Sequence, residues 1–270
     1  MASVVVGLDG STGSLAALRW AAGAADALGE ELLAVSVVSG GTDSSAVETE
    51  MRRAVPREAG AFAGPFRTEV IEGTAGPALA GVAAGLADCL VVVGRGHGGW
   101  FPALHLGSAS HHLVHRINRA ICVVPPGSGR FDPNHVVIGL DGTDGSRAAA
   151  EWLRLLARAT GSKVTAVYAW EHSATRMSNV ARGPDTQEEA DEACAGWATA
   201  LGADGVLAGT RAVRGEPSEV LAAAAAEAHA GLLVLGKRAE RRPGEIRLGG
   251  VPLRLLQRGA LPILLVPPPT

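Results

Sequence analysis

Val5-Val6-Gly7-Leu8-Asp9-Gly10 stands near the start of the chain, and Val137-Ile138-Gly139-Leu140-Asp141-Gly142 repeats it 132 residues later. Further along, the spacing between matching positions grows to 142: Gly73, Gly94 and Gly107 correspond to Gly215, Gly236 and Gly249. Cys122-Val123-Val124-Pro125 then matches Leu264-Leu265-Val266-Pro267. One unit is therefore written twice, and its second copy is ten residues longer. A period of this length is a whole domain, well above the roughly 20–50 residues of solenoid repeats. The 270 residues divide into domains at 1–126 and 132–268, joined by Pro125-Pro126-Gly127-Ser128-Gly129. That joint is a short break rather than a tether. The two copies are expected to pack as an internal pseudo-dimer, and the sequence leaves open whether the pair forms a further homodimer.

Within the first unit, residues 3–8 form a β-branched run that ends at Asp-Gly, a buried strand followed by a turn. Ser14 is placed to cap a helix whose apolar positions Leu15, Leu18, Ala22 and Ala25 share a face. Strands are expected at 32–38, 67–71, 90–93 and 120–124, and helices at 44–60, 77–87 and 108–117. The second unit repeats this order from 136 to 266, with Ser146 capping its first helix and its extra residues between 171 and 190 as a surface loop. Strand and helix alternate throughout, which predicts an α/β fold: two tandem five-stranded parallel sheets with helices on both faces.

Composition excludes several classes of function. The net charge of −3 and the absence of a long basic run give no electrostatic footprint for nucleic acid or an anionic membrane. The apolar stretches are too short to span a bilayer, and no signal peptide is evident. Cys89, Cys122 and Cys194 lack metal-ligand spacing and read as core residues of a cytoplasmic protein. His111, His112 and His115 read as exposed helix positions, the first and last sharing a face, with no carboxylate or cysteine at ligand spacing.

In such a fold, ligands bind outside the carboxyl ends of the strands, where the strand order reverses. Two turns of the first unit fall there: Asp9-Gly10-Ser11, and Gly94-Arg95-Gly96-His97-Gly98-Gly99, with Gly107-Ser108 opening the next helix. Glycines admit a ligand close to the backbone, and the amides of a helix start suit a phosphate. Gly94 to Gly99 satisfies G-x-G-x-x-G literally, yet it is not the dinucleotide fingerprint. It follows the fourth strand rather than the first, Pro102 interrupts it, and Arg116 and Arg119 stand where an acid is required. No G-x-x-x-x-G-K-[ST] occurs, nor a G-x-S-x-G elbow or a convergent catalytic set.

The opening Val-Gly-Leu-Asp-Gly-Ser-Thr-Gly-Ser, Ala87-Asp88 before an apolar strand, Arg95-Gly96-His97-Gly98-Gly99, Leu106-Gly107-Ser108 and the closing Ile121-Cys122-Val123-Val124-Pro125 resemble the universal stress protein family. The resemblance covers both halves. It implies a Rossmann-like domain of the adenine nucleotide alpha hydrolase type, often dimeric, that in some members binds ATP or another adenine nucleotide through the pattern G-x2-G-x9-G-[ST]. Carried onto the first half, Asp9 matches the acid near the adenosine, Val37 the residue beside the base, Gly94 and Gly107 the flanking glycines, and Ser108 the hydroxyl. The middle glycine is displaced: the chain reads Gly94-x-Gly96-x10-Gly107-Ser108, with His97 where the pattern has Gly. His97 either donates to a phosphate or faces water.

In the second half Asp141, Gly236 and Gly249 match, while Ala239 replaces the middle glycine and Gly250 the hydroxyl. A left-handed Ala239 would cost about 1–2 kcal/mol, and a lost hydroxyl bond to a charged phosphate about 1.5–3. Lys237, Arg238, Arg241 and Arg242 either offset part of this loss as flexible cations or, on the favoured reading, form a solvated basic loop. The resemblance therefore implies a stress-response regulator that binds ATP or another adenine nucleotide, with or without Mg2+, chiefly in its first domain. At most slow ATP hydrolysis would accompany this, and the sequence names no catalytic base. The alternative is a scaffold of the same fold, degenerate at both sites, that binds a partner instead.

Overall fold

The computed structural model describes residues 3–60, 62–96, 108–131, 133–171, 184–203, 205–239 and 246–269. The first half runs β1 (Ser3–Gly7), α1 (Thr12–Leu28), β2 (Glu31–Val38), α2 (Ser44–Ala59), β3 (Phe66–Glu72), α3 (Ala75–Gly85), β4 (Leu90–Gly94), α4 (Ser108–Arg116) and β5 (Ala120–Val124). The second runs β6 (His135–Gly139), α5 (Asp144–Thr160), β7 (Lys163–Trp170), α6 (Gln187–Trp197), α7 (Thr199–Gly202), β8 (Leu207–Arg214), α8 (Pro217–Glu227) and β9 (Leu232–Gly236). A two-stranded hairpin of β10 (Arg238–Ala239) and β11 (Ile246–Arg247) follows, then α9 (Gly250–Arg258) and β12 (Ile263–Val266). No expected element corresponds to that hairpin, whose strands, two residues long, are too short to leave a periodic pattern. Much of the expected loop at 171–190 lies outside the described residues.

Each half builds the expected parallel sheet, but the two sheets are not separate. Their order is β3-β2-β1-β4-β5-β12-β9-β6-β7-β8, one ten-stranded sheet in which β5 and β12 pair antiparallel across a pseudo-two-fold axis. The apolar runs of β5 and β12 leave both edges unmasked by charge, so each covers the other's free backbone groups. Alternation along the strands then divides the core. Val4 and Val6 face the side of α1, α2, α5 and α7, while Val5 faces that of α3, α4, α8 and α9. Both layers run through the two halves without a break, as residues such as Leu18 with Leu153, and Leu113 with Leu255, belong to one cluster each.

The helix caps lie three residues before the expected ones. Ser11 and Thr143, not Ser14 and Ser146, are the N-caps: their hydroxyls accept from the Ser14 and Ser146 amides at 3.2 and 3.3 Å. Ser14 and Ser146 are buried one turn inside, where each hydroxyl donates back to the cap carbonyl at 3.0 Å. Either serine satisfies a capping pattern in sequence, and the turn geometry before the helix selects between them. The three cysteines are free and fully buried. The histidines of α4 depart from expectation, since all three are half-buried. His112 lies against Gly76, where even a methyl group would come within 2.7 Å of its Cβ. The His111 and His115 rings do share a face, with centroids 4.7 Å apart.

Candidate functional site

Because β1 and β4 are neighbours whose connections leave to opposite sides, the crevice between their carboxyl ends is the switch point of the first half. The Asp9-Gly10-Ser11 turn lines one side. Gly10 is left-handed at φ +75°, a conformation that costs residues with a Cβ about 1–2 kcal/mol. Asp9 Oδ1 accepts the Ser11 amide at 3.0 Å, and the Asp9 amide donates to Ser14 Oγ at 3.3 Å. Partial burial pushes the Asp9 carboxyl up, but hydrogen bonds from Ser11 and Ser14 outweigh this and hold it below its usual range. It is therefore an exposed, ionised acceptor with no cation paired to it among the described residues.

The end of β4 lines the other side. A Cβ on Gly94 would stand 2.3 Å from the Gly13 carbonyl carbon, so Gly94 allows α1 to begin directly against the strand. Gly94 and Gly96 are half-buried at the mouth of the crevice, and Val37 is half-buried near the end of β2. Ser110 Oγ donates to the Gly94 carbonyl at 2.8 Å, which ties the first turn of α4 to the end of β4. Ser108 is the first residue of α4. His97 and Gly107 lie outside the described residues. Asp9, Gly94, Gly96 and the start of α4 are thus gathered at one edge, an acceptor on one side and a helix N-terminus on the other. Such a pair suits a hydroxylated or amino-bearing ring together with an anionic group.

The second half repeats the scaffold and adds a cation and an indole to it. Gly142 is left-handed at φ +73°, and Asp141 Oδ1 accepts from the Thr143 amide at 3.1 Å and from its hydroxyl at 2.6 Å. Arg238 Nη2 donates to Asp141 Oδ2 at 3.0 Å. Burial pushes this carboxyl up, and bonds from Thr143 and Arg238 hold it below its usual range. Above the turn sits Trp197, whose ring a Cβ on Gly142 would meet at 2.5 Å; a Cβ on Gly10 would meet nothing within 4 Å. Tyr168 braces that indole edge-on, with centroids 4.8 Å apart. Gly236 repeats the packing role of Gly94, with Gly145 2.2 Å from its would-be Cβ. Gly249 is the N-cap of α9 without a side-chain cap bond.

Two expectations for this half are corrected. Ala239 belongs to β10, and among the described residues His229 is the sole non-glycine with positive φ, so no left-handed strain arises there. The basic stretch is not simply solvated either. Arg238 holds Asp141, while Lys237 is 1% exposed and donates from Nζ to the Ile117 carbonyl of the first half at 3.0 Å. Arg241 and Arg242 lie outside the described residues.

Family models agree with the duplication: that of the universal stress protein family matches residues 1–125 and again 133–267. The chain belongs to the universal stress protein family. A universal stress protein from Archaeoglobus fulgidus DSM 4304 superposes with a TM-score of 0.74, 16% identity, and coverage of 99% of this chain and 98% of that one. A functionally unknown protein from Pseudomonas aeruginosa PAO1 follows at a TM-score of 0.61, 12% identity, 98% of this chain and 92% of that one. A universal stress protein in complex with cAMP matches half of this chain and 97% of its own, at 23% identity and a TM-score of 0.37. No curated protein matches at a significant level. Among the described residues of this universal stress protein, no helix is long and apolar enough to cross a membrane. None of them form a group of three or more His, Cys, Asp or Glu able to hold a metal ion.

Tyr168 and Trp197 were not legible as site residues. An aromatic on a strand or helix reads as core, and Trp197 is brought over the Asp141 turn only by the packing of α6. Arg95 and Lys237 are basic residues at matching positions of the two copies.

Proposed function

We propose that this universal stress protein binds an adenine nucleotide, ATP or a close relative, at the carboxyl edge of its first half, and uses occupancy to bias its surface or assembly. The observation that carries this reading is the contrast between the two equivalent acids. Both carboxyls are held low, but Asp9 has no cation paired to it among the described residues, whereas Asp141 accepts from Arg238 and Trp197 lies against its turn. Asp9 would accept a hydrogen bond from a ribose hydroxyl or the base. The amides at the start of α4 would meet phosphate, with Mg2+ serving as a counter-ion to the phosphates. Occupancy can shift an equilibrium only by its differential affinity for the two states. No residue is assigned as a catalytic base, so the role is binding rather than turnover.

Calorimetric titration of ATP, AMP and cAMP into wild type, Asp9→Asn and Asp141→Asn tests the reading. Binding lost in the first variant and kept in the second supports it. Equal heats in all three would remove Asp9 from the site. A second reading, a scaffold that binds no nucleotide, is favoured by the displaced middle glycine Gly96. Absence of heat with every nucleotide at millimolar concentration would select it.

A further inference from the structure

Arg95 and Lys237 directly follow β4 and β9, and both leave their own half. Arg95 Nη2 donates to the Gln257 carbonyl in the last turn of α9 at 2.8 Å; Lys237 Nζ donates to the Ile117 carbonyl just past α4 at 3.0 Å. The exchange is reciprocal about the β5–β12 axis. Each side chain meets the carboxyl end of a helix, where carbonyls without an intrahelical partner accept from its nitrogen. Both side chains are buried, at 9% and 1% exposure, so these bonds form where water does not compete.

Helix α4 is consequently held at two points by two different halves. Ser110 Oγ fixes its first turn to the Gly94 carbonyl, and Lys237 fixes its far end. Between these points stand Leu113 and Val114, both fully buried. A nine-residue helix is about 13 Å long and effectively rigid, so a tilt at its carboxyl end reappears at its first amides. Those amides are the anion-binding end of the candidate site.

We propose that Lys237, from the second half, is a positioning residue for the nucleotide site of the first, acting through α4. This rests on the reading of the first-half edge as a nucleotide site. It gives the duplication a mechanical use: the half whose Asp141 turn carries Arg238 and Trp197 sets the geometry of the other half's edge. The coupling is reciprocal, so a nucleotide that orders α4 also tightens the contact between halves.

The test uses the full chain as wild type, Lys237→Met and Lys237→Arg, with two readouts. Hydrogen exchange without nucleotide is expected to quicken about tenfold at the amides of 111–117 in the Met variant. The Arg variant is expected to restore protection, because Arg95 performs the same task at the equivalent place. Calorimetry with Mg2+-ATP is expected to show about tenfold weaker binding in the Met variant and less than threefold in the Arg variant. Unchanged exchange in α4 overturns the clamp, and faster exchange with unchanged affinity overturns the positioning role. Wild type that binds no ATP overturns the nucleotide reading and the site role together, while exchange still judges the clamp. Should Lys237→Met fail to fold, Arg95→Met takes its place: faster exchange at the end of α9 supports the reciprocal arrangement, and unchanged exchange there overturns it.

Discussion

Arg238 donates to Asp141 at 3.0 Å, while Asp9, its equivalent in the first half, has no cation beside it among the described residues. The turn bonds around the two acids are otherwise nearly identical, from the amide two residues on to the left-handed glycine between. Position 238 corresponds to Gly96 in the first half, so the guanidinium that pairs with Asp141 has no counterpart at the matching position beside Asp9. A duplicated fold has here kept its backbone and divided its surface chemistry.

Replacing Arg238 by Ala should change stability little, within about 1 kcal/mol, because the pair is partly exposed, at 66% and 37%. The Asp141 carboxyl should titrate at higher pH than in the wild type, since one of the bonds that lowers it is lost. Carboxyl NMR titration with urea unfolding reads both. A large loss of stability would mean that Arg238 supports packing beyond the ion pair.

Burial lowers the pKa of Lys237 from 10.5 to about 7. Below that pH both folded and unfolded chains carry the proton, and the group adds no slope. Between about 7 and 10.5 the unfolded chain keeps a proton that the folded chain has released, so stability rises with pH by about 1.4 kcal/mol per unit from this group. Urea unfolding of wild type minus that of Lys237→Met, from pH 6 to 9.5, should show a difference that is flat at first and then climbs in favour of the wild type. A flat difference throughout would mean that Lys237 stays charged in the fold.

A methyl group at Gly94 would stand 2.3 Å from the Gly13 backbone, whereas one at Gly10 meets only an unfavourable φ. Gly10→Ala should therefore cost about 1–2 kcal/mol. Gly94→Ala has to displace the start of α1, and its cost should reach or exceed the roughly 1–3 kcal/mol of overpacking. Thermal unfolding of both variants checks the order; the reverse order would contradict the close helix–strand approach.

Phe131 lies in the joint between halves, packed edge-on against Trp20 with centroids 4.8 Å apart. Neighbouring Arg130 donates to the Ala59 carbonyl at 2.7 Å and pairs with Asp26. The joint is thus a strap on the first half. Phe131→Ala should cost about 3–5 kcal/mol, as for other buried aromatics. Urea unfolding measures it, and a cost below 1 would mean that the strap is not part of the core.

The duplication and the strand–helix alternation were legible because Val-rich strands ending at Asp-Gly or Gly leave a local pattern in the sequence. The union of the two sheets was not, since pairing β5 with β12 depends on which edges meet and not on any local period. Asp9 and Asp141 read as equivalent for the same reason: their separation comes from Arg238 and Trp197, which are distant in sequence from Asp141 and reach it only in the fold. Lys237 shows the limit most clearly. A lysine followed by arginines reads as a solvated loop, and only the fold buries it and brings it the Ile117 carbonyl of the neighbouring half.

Native mass spectrometry of the full chain with excess Mg2+-ATP, on wild type, Asp9→Asn and Asp141→Asn, tests the division of labour between the halves most directly. One nucleotide per chain, lost with Asp9→Asn and kept with Asp141→Asn, is the predicted result. Two nucleotides per chain, or one that is lost with Asp141→Asn, would contradict it.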